Sequence, residues 1–472
     1  MKSFLQCFCF ILLSQITVSQ ITFEKLYVWP NVNNVANSLC ITYDNSYMVT
    51  GWKGDTMVTD SDLFLMKINA FGDTLWTKTY GGSSFDQGDY IIQTLDSCYA
   101  IVGGTSSITY GNYDVYFLKT DKYGDTLWTR HYGGVNSDFG RCVHQTSDSG
   151  FIIVGTTCIS GSCDIYMIKT DQYGDTSWTK TIGGPAYEQG FSIRQTFDKG
   201  YIIAGLISSA TQSYQVYLLK TDSAGNVLWS KEFGGPYVDN ASSVQQTSDS
   251  GYIIAGRTKT ANYGQSDAYL IKTDANGDSL WTRTYGDPNE HDEAYQIIQT
   301  FDGGYVFTGY TTNNWNDLYV VRTDSVGNTI WSQSFGDINY QVGSDIRQTY
   351  DSCFIIAGTY LDMDSMPVFI LSYDIYIIKL NSSGILTNIS FRESENLFIY
   401  PNPTQNHINL KLGPRCNSIE ILNMQGQIVY TETIKDNYRH SKSIDLSQVN
   451  RGVYLIKVRS ENSIMIGKVL KL

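Results

Sequence analysis

The chain has 472 residues, with 35 Tyr, 42 Gly, only 8 Pro and a formal net charge of −13. That acidity argues against nucleic acid as a partner, since phosphates call for a concentrated Lys/Arg face. The Tyr- and Gly-rich balance favours twisted strands joined by tight turns over long helices, and no stretch beyond the N-terminus approaches the ~20 apolar residues of a spanning helix.

Residues 1–19 carry one Lys, an apolar run from Phe4 to Leu13 and small or polar residues up to Ser19. This has the form of a secretory signal peptide, so the mature chain is expected to be exported. Cys7 and Cys9 lie inside the apolar run, which speaks against a lipid anchor. The cysteines left after cleavage are odd in number, too few for a disulfide-built scaffold. Cys158 and Cys163 flank the turn in TTCISGSCDIY and are the candidate for a local bridge, whereas Cys98 and Cys353 occupy equivalent positions in different units and are expected apart and unpaired. With no CxxC pair and 5 scattered His, no zinc site is expected.

Residues 20–390 are organised by a repeat. A DxYxIK-like opening starts at Asp62, Asp114, Asp164, Gln215, Asp267, Asp317 and Asp374, about 50 residues apart, and a Trp recurs at Trp76, Trp128, Trp178, Trp229, Trp281 and Trp331. Each unit holds four short strand-like segments, in the third unit FGRCVHQT, GFIIVGTT, DIYMIKTD and SWTKTI. Four strands repeated seven times predict an all-β, seven-bladed β-propeller. The first segment, ITFEKLY, aligns with the fourth segment of a unit, Phe23 falling where Trp76 falls and Tyr27 where Tyr80 falls, while the last unit lacks its own fourth segment. A one-plus-three closure of the ring is therefore expected.

The recurring Trp is expected on the outer strand, packed between blades. The turn before it, Asp121 to Asp125 in DKYGD, reads as structural: Asp bonds its own backbone and Gly takes positive φ. No cofactor is called for, calcium being the one ion such turns could take.

The junctions between units carry Asn34, Asp86, Asp138, Glu188, Asp239, Asp292 and Gln341, each two residues before a small residue that opens the inner strand. In equivalent blades these form a candidate axial ring for a ligand, where mutual repulsion would raise some carboxyl pKa values or recruit a cation. The more ordinary reading is that each accepts backbone N–H bonds at its own junction and fixes the blade angle. Glu290 to Glu293 is the densest polar cluster, without spacing that would fix a metal. No GxSxG elbow or nucleophile–base arrangement stands out, so no catalytic residue is assigned. The largest departure from the repeat is the insertion from Asp362 to Ser372, readable as a recognition loop or an elongated hairpin.

After Leu386 the repeat stops; residues 391–396 read as a linker and 397–472 as a small β-sandwich of alternating strands. Tyr400, Pro401, Asn402 and Pro403 (YPNP), the turn with Gly426, Ile444 to Leu446, Gly452 and Tyr454 in GVYLIKV, and Lys468 in KVLK stand in the order found in one family. This segment resembles the type A C-terminal sorting domain of the type IX secretion system of Bacteroidota. The resemblance implies Sec export to the periplasm, passage of the outer membrane with the secretion machinery as partner, removal of the domain, and a secreted or surface location. The remaining expectation is a monomeric binding or scaffold module that meets an extracellular glycan or a surface protein. The alternative is a polysaccharide hydrolase or lyase using carboxylates of the junction ring.

Overall fold

The structure, a computed structural model, describes residues 20–29, 32–55, 60–107, 112–159, 161–208, 213–259, 265–313, 315–336, 339–362, 372–386, 399–411, 416–423, 428–434, 441–460 and 464–471. Residues 1–19, expected as a signal peptide, residues 391–396, expected as a linker, Gly426 and all of the insertion between Asp362 and Ser372 lie outside the described residues. Among the described residues no helix is long and apolar enough to cross a membrane.

The four segments of each unit fold as an antiparallel meander. β1 (Phe23–Tyr27) precedes the first full set, β2 (Val32–Ile41), β3 (Tyr47–Asp55), β4 (Ser61–Ile68) and β5 (Thr74–Tyr80), which pair in the order β2-β3-β4-β5. Five further sheets follow the same order, and the described residues hold seven such four-stranded blades in all. The last blade comprises Tyr340–Gln348, Phe354–Asp362 and Ser372–Leu380, with β1 paired antiparallel to Ser372–Leu380 from Phe23 opposite Lys379 to Tyr27 opposite Ile375.

Second and third strands are buried on both faces, as in Tyr99–Thr105 and Asp114–Thr120, because each blade packs against a neighbour on either side. Alternation of burial therefore survives in the first and fourth strands, whose faces differ in exposure. The apolar cores lie between blades. One joins Met48, Leu63 and Leu65 of the first blade to Ile91, Tyr99 and Leu118 of the second; another joins Ile355, Ile375 and Ile377 of the last blade to Leu39, Val49 and Phe64 of the first.

A second device holds the seams. Each fourth strand lays its Trp on the turn glycine of the next blade: Trp178 reaches Gly225, where an added Cβ would come within 2.7 Å of the indole. Gly225 has φ +76°, so both backbone and space demand glycine there. Two residues beyond the Trp a cation reaches the same turn, as in Lys78–Asp125 at 2.6 Å, and two residues further on a Tyr donates to the glycine carbonyl, as Tyr80 does to Gly124 at 2.5 Å. Phe23, Lys25 and Tyr27 of β1 make the same three contacts to Gly72 and Asp73 of the first blade. Trp178→Ala should thus cost about 2 to 4 kcal/mol, less than for a wholly buried ring since the indole is half-exposed. A loss below about 1 kcal/mol in denaturant unfolding would mean the ring does not cement the seam.

At the same end of the blades a third repeated contact appears. Six lysines and Arg322 in the third strands pair with an Asp of the preceding hairpin; Lys220 is 3% exposed and lies 2.9 Å from Asp198.

The C-terminal residues form a sheet of Ile399–Tyr400, His407–Lys411 and Ser441–Asp445, and a second of Ile428–Thr433, Cys416–Asn423, Gly452–Ser460 and Ile464–Lys471. Ile408, Leu410 and Ile444 of the first share one core with Ile419, Ile421, Ile456 and Val458 of the second.

Candidate functional site

The register places the start of each first strand, the end of the second and the start of the third on one face: Asp86 lies opposite Thr105, and Thr105 opposite Asp114. Residues that bracket these points are aromatic in most blades. Phe85 and Tyr113 stand 6.2 Å apart, Tyr113 and Phe139 5.0 Å, Tyr187 and Tyr214 5.8 Å. Trp52 with Tyr373 and Tyr295 with Tyr310 extend the series. These rings are half-buried, with Tyr214 the most exposed at 37%.

The seven junction residues Asn34, Asp86, Asp138, Glu188, Asp239, Asp292 and Gln341 open the first strands on this face, and all are buried. Their carboxylates take backbone donors of the preceding junction: Gly82 N–H to Asp86 at 2.8 Å, Gly134 to Asp138 at 3.0 Å, Gly235 to Asp239 at 2.8 Å and Asp287 to Asp292 at 3.1 Å. Each also faces the residue that opens the neighbouring third strand. A Cβ on Gly81 would fall 2.2 Å from Asp62 Oδ1 and 2.6 Å from Asp86 Oδ2, so the glycine of the YGG segment leaves the gap that the two carboxyls share. Gly133 stands likewise between Asp114 and Asp138. Where the third strand opens with Gln215, its amide donates to the Gly235 carbonyl at 2.8 Å beside Asp239.

Burial first, and then the facing carboxylate, raises the pKa of Asp62 and of Glu188. Burial pushes Asp292 and Asp374 up to about 6. At the opposite edge, burial alone would raise Asp44 and Asp96. Bonds from Lys67 and Thr42, and from Lys119 and Thr94, outweigh it and hold both at about 2.

The two sets act on stability with opposite sign. Raised carboxyls favour the folded state when protonated, a contribution complete below about pH 4 and lost as pH rises through about 6; lowered carboxyls contribute above about pH 4 and lose it as pH falls toward 2. Thermal stability should therefore peak near roughly pH 5, a few degrees above its value at pH 7.5. Asp374→Asn, which removes one of the raised acids, should flatten that rise; a melting temperature climbing steadily from pH 5 to 8 would contradict the assignment.

Glu290 to Glu293 do not converge. His291 meets Ser266 N–H at 3.3 Å, Glu290 meets Thr312, Asp292 is buried in its junction, and Glu293 pairs with Arg257 at 3.3 Å. Cys158 and Cys163 face each other across their hairpin and are joined by a disulfide, while Cys98 and Cys353 are free.

The singular feature lies deeper along the first strands, where sequence reading had assigned nothing. Tyr90 of the second blade accepts from Arg194 of the fourth at 2.5 Å and from Arg347 of the last at 2.9 Å, with the Gln296 amide of the sixth at 3.5 Å. Both guanidinium groups also lie over the Tyr90 ring, at 5.3 and 5.6 Å. First strands of four blades thus meet at one phenol, which identifies the axis. A bulge in every first strand, such as that between Gly140 and Cys142, re-aims the side chains that follow it. The available signal was positional: Tyr90 stands where other units have Ser38, Cys142, Ser192 and Ser243, and the two arginines where others have Cys40, Ile92 and Ile298.

Of the sorting-motif residues, Asn402 accepts from the Leu470 N–H at 3.0 Å, and Lys471 donates to the Gln405 carbonyl, so YPNP lies against KVLK. Tyr400 is half-exposed, and the Pro401 and Pro403 peptides are cis. Gly452 opens the Gly452–Ser460 strand, Tyr454 is buried and donates to the Asn450 carbonyl at 2.7 Å, and Lys468 lies on the last strand.

Residues 398–471 match a family model described as the secretion system C-terminal sorting domain, so the chain carries such a domain at its C-terminus. Among curated proteins none matches the chain. Solved structures similar to it include PorZ, described as an essential bacterial surface component of the type IX secretion system of Porphyromonas gingivalis. It is 8% identical, with 92% of this chain and 75% of PorZ covered and a TM-score of 0.40. The polysaccharide lyase Uly1 is 11% identical, with 73% and 90% covered and a TM-score of 0.48. The β-propeller domain of the Trilobed protease from Pyrococcus furiosus is 10% identical, with 78% and 99% covered and a TM-score of 0.41.

Proposed function

We propose that the protein, exported by type IX secretion through its C-terminal domain, works at the cell surface or outside it as a binding module whose propeller meets an extracellular glycan through its aromatic face. The observation that carries this is the series Trp52, Phe85, Tyr113, Phe139, Tyr187 and Tyr214, which leaves six partly exposed aromatic rings on one face of an otherwise acidic protein. Sugar rings stack on such surfaces with their C–H faces, and Tyr adds a polar edge at low entropic cost. In this reading β1 serves as the outer strand of the seventh blade, a one-plus-three closure supported by its pairing and its contacts to the first blade. The two C-terminal sheets form a sandwich around their shared core.

The polysaccharide hydrolase or lyase alternative, acting through the junction carboxylates, has less support, since those side chains are buried and engaged by backbone N–H groups. The test is an array of glycans and surface proteins probed with the purified protein, with and without calcium. Specific glycan binding that is lost in Tyr113→Ala and Tyr214→Ala, with the fold intact, is the expected result. Binding that survives both substitutions would remove the aromatic face from the site, and the absence of any hit would favour a structural surface component.

A further inference from the structure

The geometry points to a site for a single oxyanion, a carboxylate or sulfate group, at the propeller axis between the guanidinium groups of Arg194 and Arg347. The inference goes beyond the aromatic face and rests on channel residues alone.

Charge does not balance there. Arg347 pairs with Asp345, and Arg141 lies 3.5 Å from Asp89. Arg194 forms no ion pair among the described residues; its other bonds go to Cys142 Sγ at 3.2 Å and to its neighbouring carbonyl at 2.7 Å. Among the described residues around Tyr90, these three guanidinium groups face two carboxylates, which leaves one positive charge without an ion-pair partner. The nearby His144 adds none at neutral pH, because burial and then Arg194 hold its pKa down to about 4. A guanidinium keeps its proton whatever its surroundings, so an uncompensated one inside a protein calls for an anion.

The donors are also arranged for one. Two guanidinium groups from opposite parts of the ring converge on one oxygen, and Gln296 is directed to the same atom. A phenol oxygen has two lone pairs, fewer than the three donors directed to it. A carboxylate or sulfate arriving at this point would accept both forks at once, the pairing that guanidinium geometry favours. The Tyr90 hydroxyl, released from its role as acceptor, could then donate to the same ligand. Arg347 keeps 18% of its side chain exposed. Among the described residues no second group of this kind occurs, whereas the seam contacts recur from blade to blade.

The experiment titrates the purified protein with D-glucuronate, D-glucose 6-sulfate and uncharged D-glucose by calorimetry at low salt. Glucuronate or the sulfate should bind and glucose should not, and a preference between the two anions would identify the group. Arg194→Gln should weaken anion binding by at least about tenfold, as expected for a lost charge-assisted bond. Equal binding of glucose, or unchanged affinity in a folded Arg194→Gln variant, would overturn the assignment. Should that variant fail to fold, the unmodified protein still decides. Phenylglyoxal modification of Arg194, read by mass spectrometry, should be slowed by glucuronate or the sulfate but not by glucose, and protection by neither anion would count against the site.

Discussion

Deleting residues 21–27 is expected to lower the stability of the propeller by more than about 5 kcal/mol, enough to unfold a domain of ordinary marginal stability. The segment supplies a whole strand. β1 pairs along its five residues with Ser372–Leu380, and without it that strand becomes a bare edge beside the first blade. Phe23 is 8% exposed and belongs to the core between the last and first blades; its loss alone should cost about 3 to 5 kcal/mol. Lys25–Asp73 at 2.6 Å and the Tyr27 bond to Gly72 at 2.5 Å vanish with it, although the half-exposed ion pair contributes little by itself. Thermal unfolding of the deletion variant beside Phe23→Ala separates the ladder from the ring. An unchanged melting temperature in the deletion would sink the closure, because β1 would then be a dispensable arm.

The same segment shows what was legible in the sequence. ITFEKLY could be aligned with LWTKTY because both carry an aromatic residue, a cation and a Tyr at fixed spacing, and all three make inter-blade contacts that recur. Repetition amplifies such signals. The buried Lys–Asp pairs repeat just as faithfully, yet the partners lie about 22 residues apart, one in a hairpin turn and one on a third strand, as Asp198 and Lys220 do, and no local period links them. The junction acids were visible as a pattern, but whether they face a ligand or their own backbone is a matter of ångströms that spacing does not encode. Tyr90, Arg194 and Arg347 were missed for the opposite reason. They are departures from the repeat, 104 and 257 residues apart in their contacts, and become one group only when four blades surround a common axis.

Removing Leu397 to Leu472 should abolish delivery to the cell surface while leaving the propeller folded. The second half follows from the cores. Ile408, Leu410, Ile419, Ile421, Ile444, Leu446, Tyr454, Ile456, Val458 and Val469 pack among themselves with no blade residue in their cluster, and the seams between blades draw on none of them. Truncation therefore costs the propeller no buried apolar area, and its melting temperature should stay within about 1 °C. The first half follows from the match of residues 398–471 to the sorting domain. In a host with the secretion system, the truncated chain should accumulate inside the outer membrane, whereas the full chain reaches the surface or medium. A smaller lesion sharpens the test. Asn402 and Leu470 tie the start of the domain to its end at 3.0 Å, and Gly452–Ser460 pairs with Ile464–Lys471 along the last strand. Deleting residues 464–472 should bare the Gly452–Ser460 strand and impair export almost as fully as losing the whole domain. Normal display of either variant would refute the sorting role, and a truncated propeller that unfolds would refute the independence of the two cores.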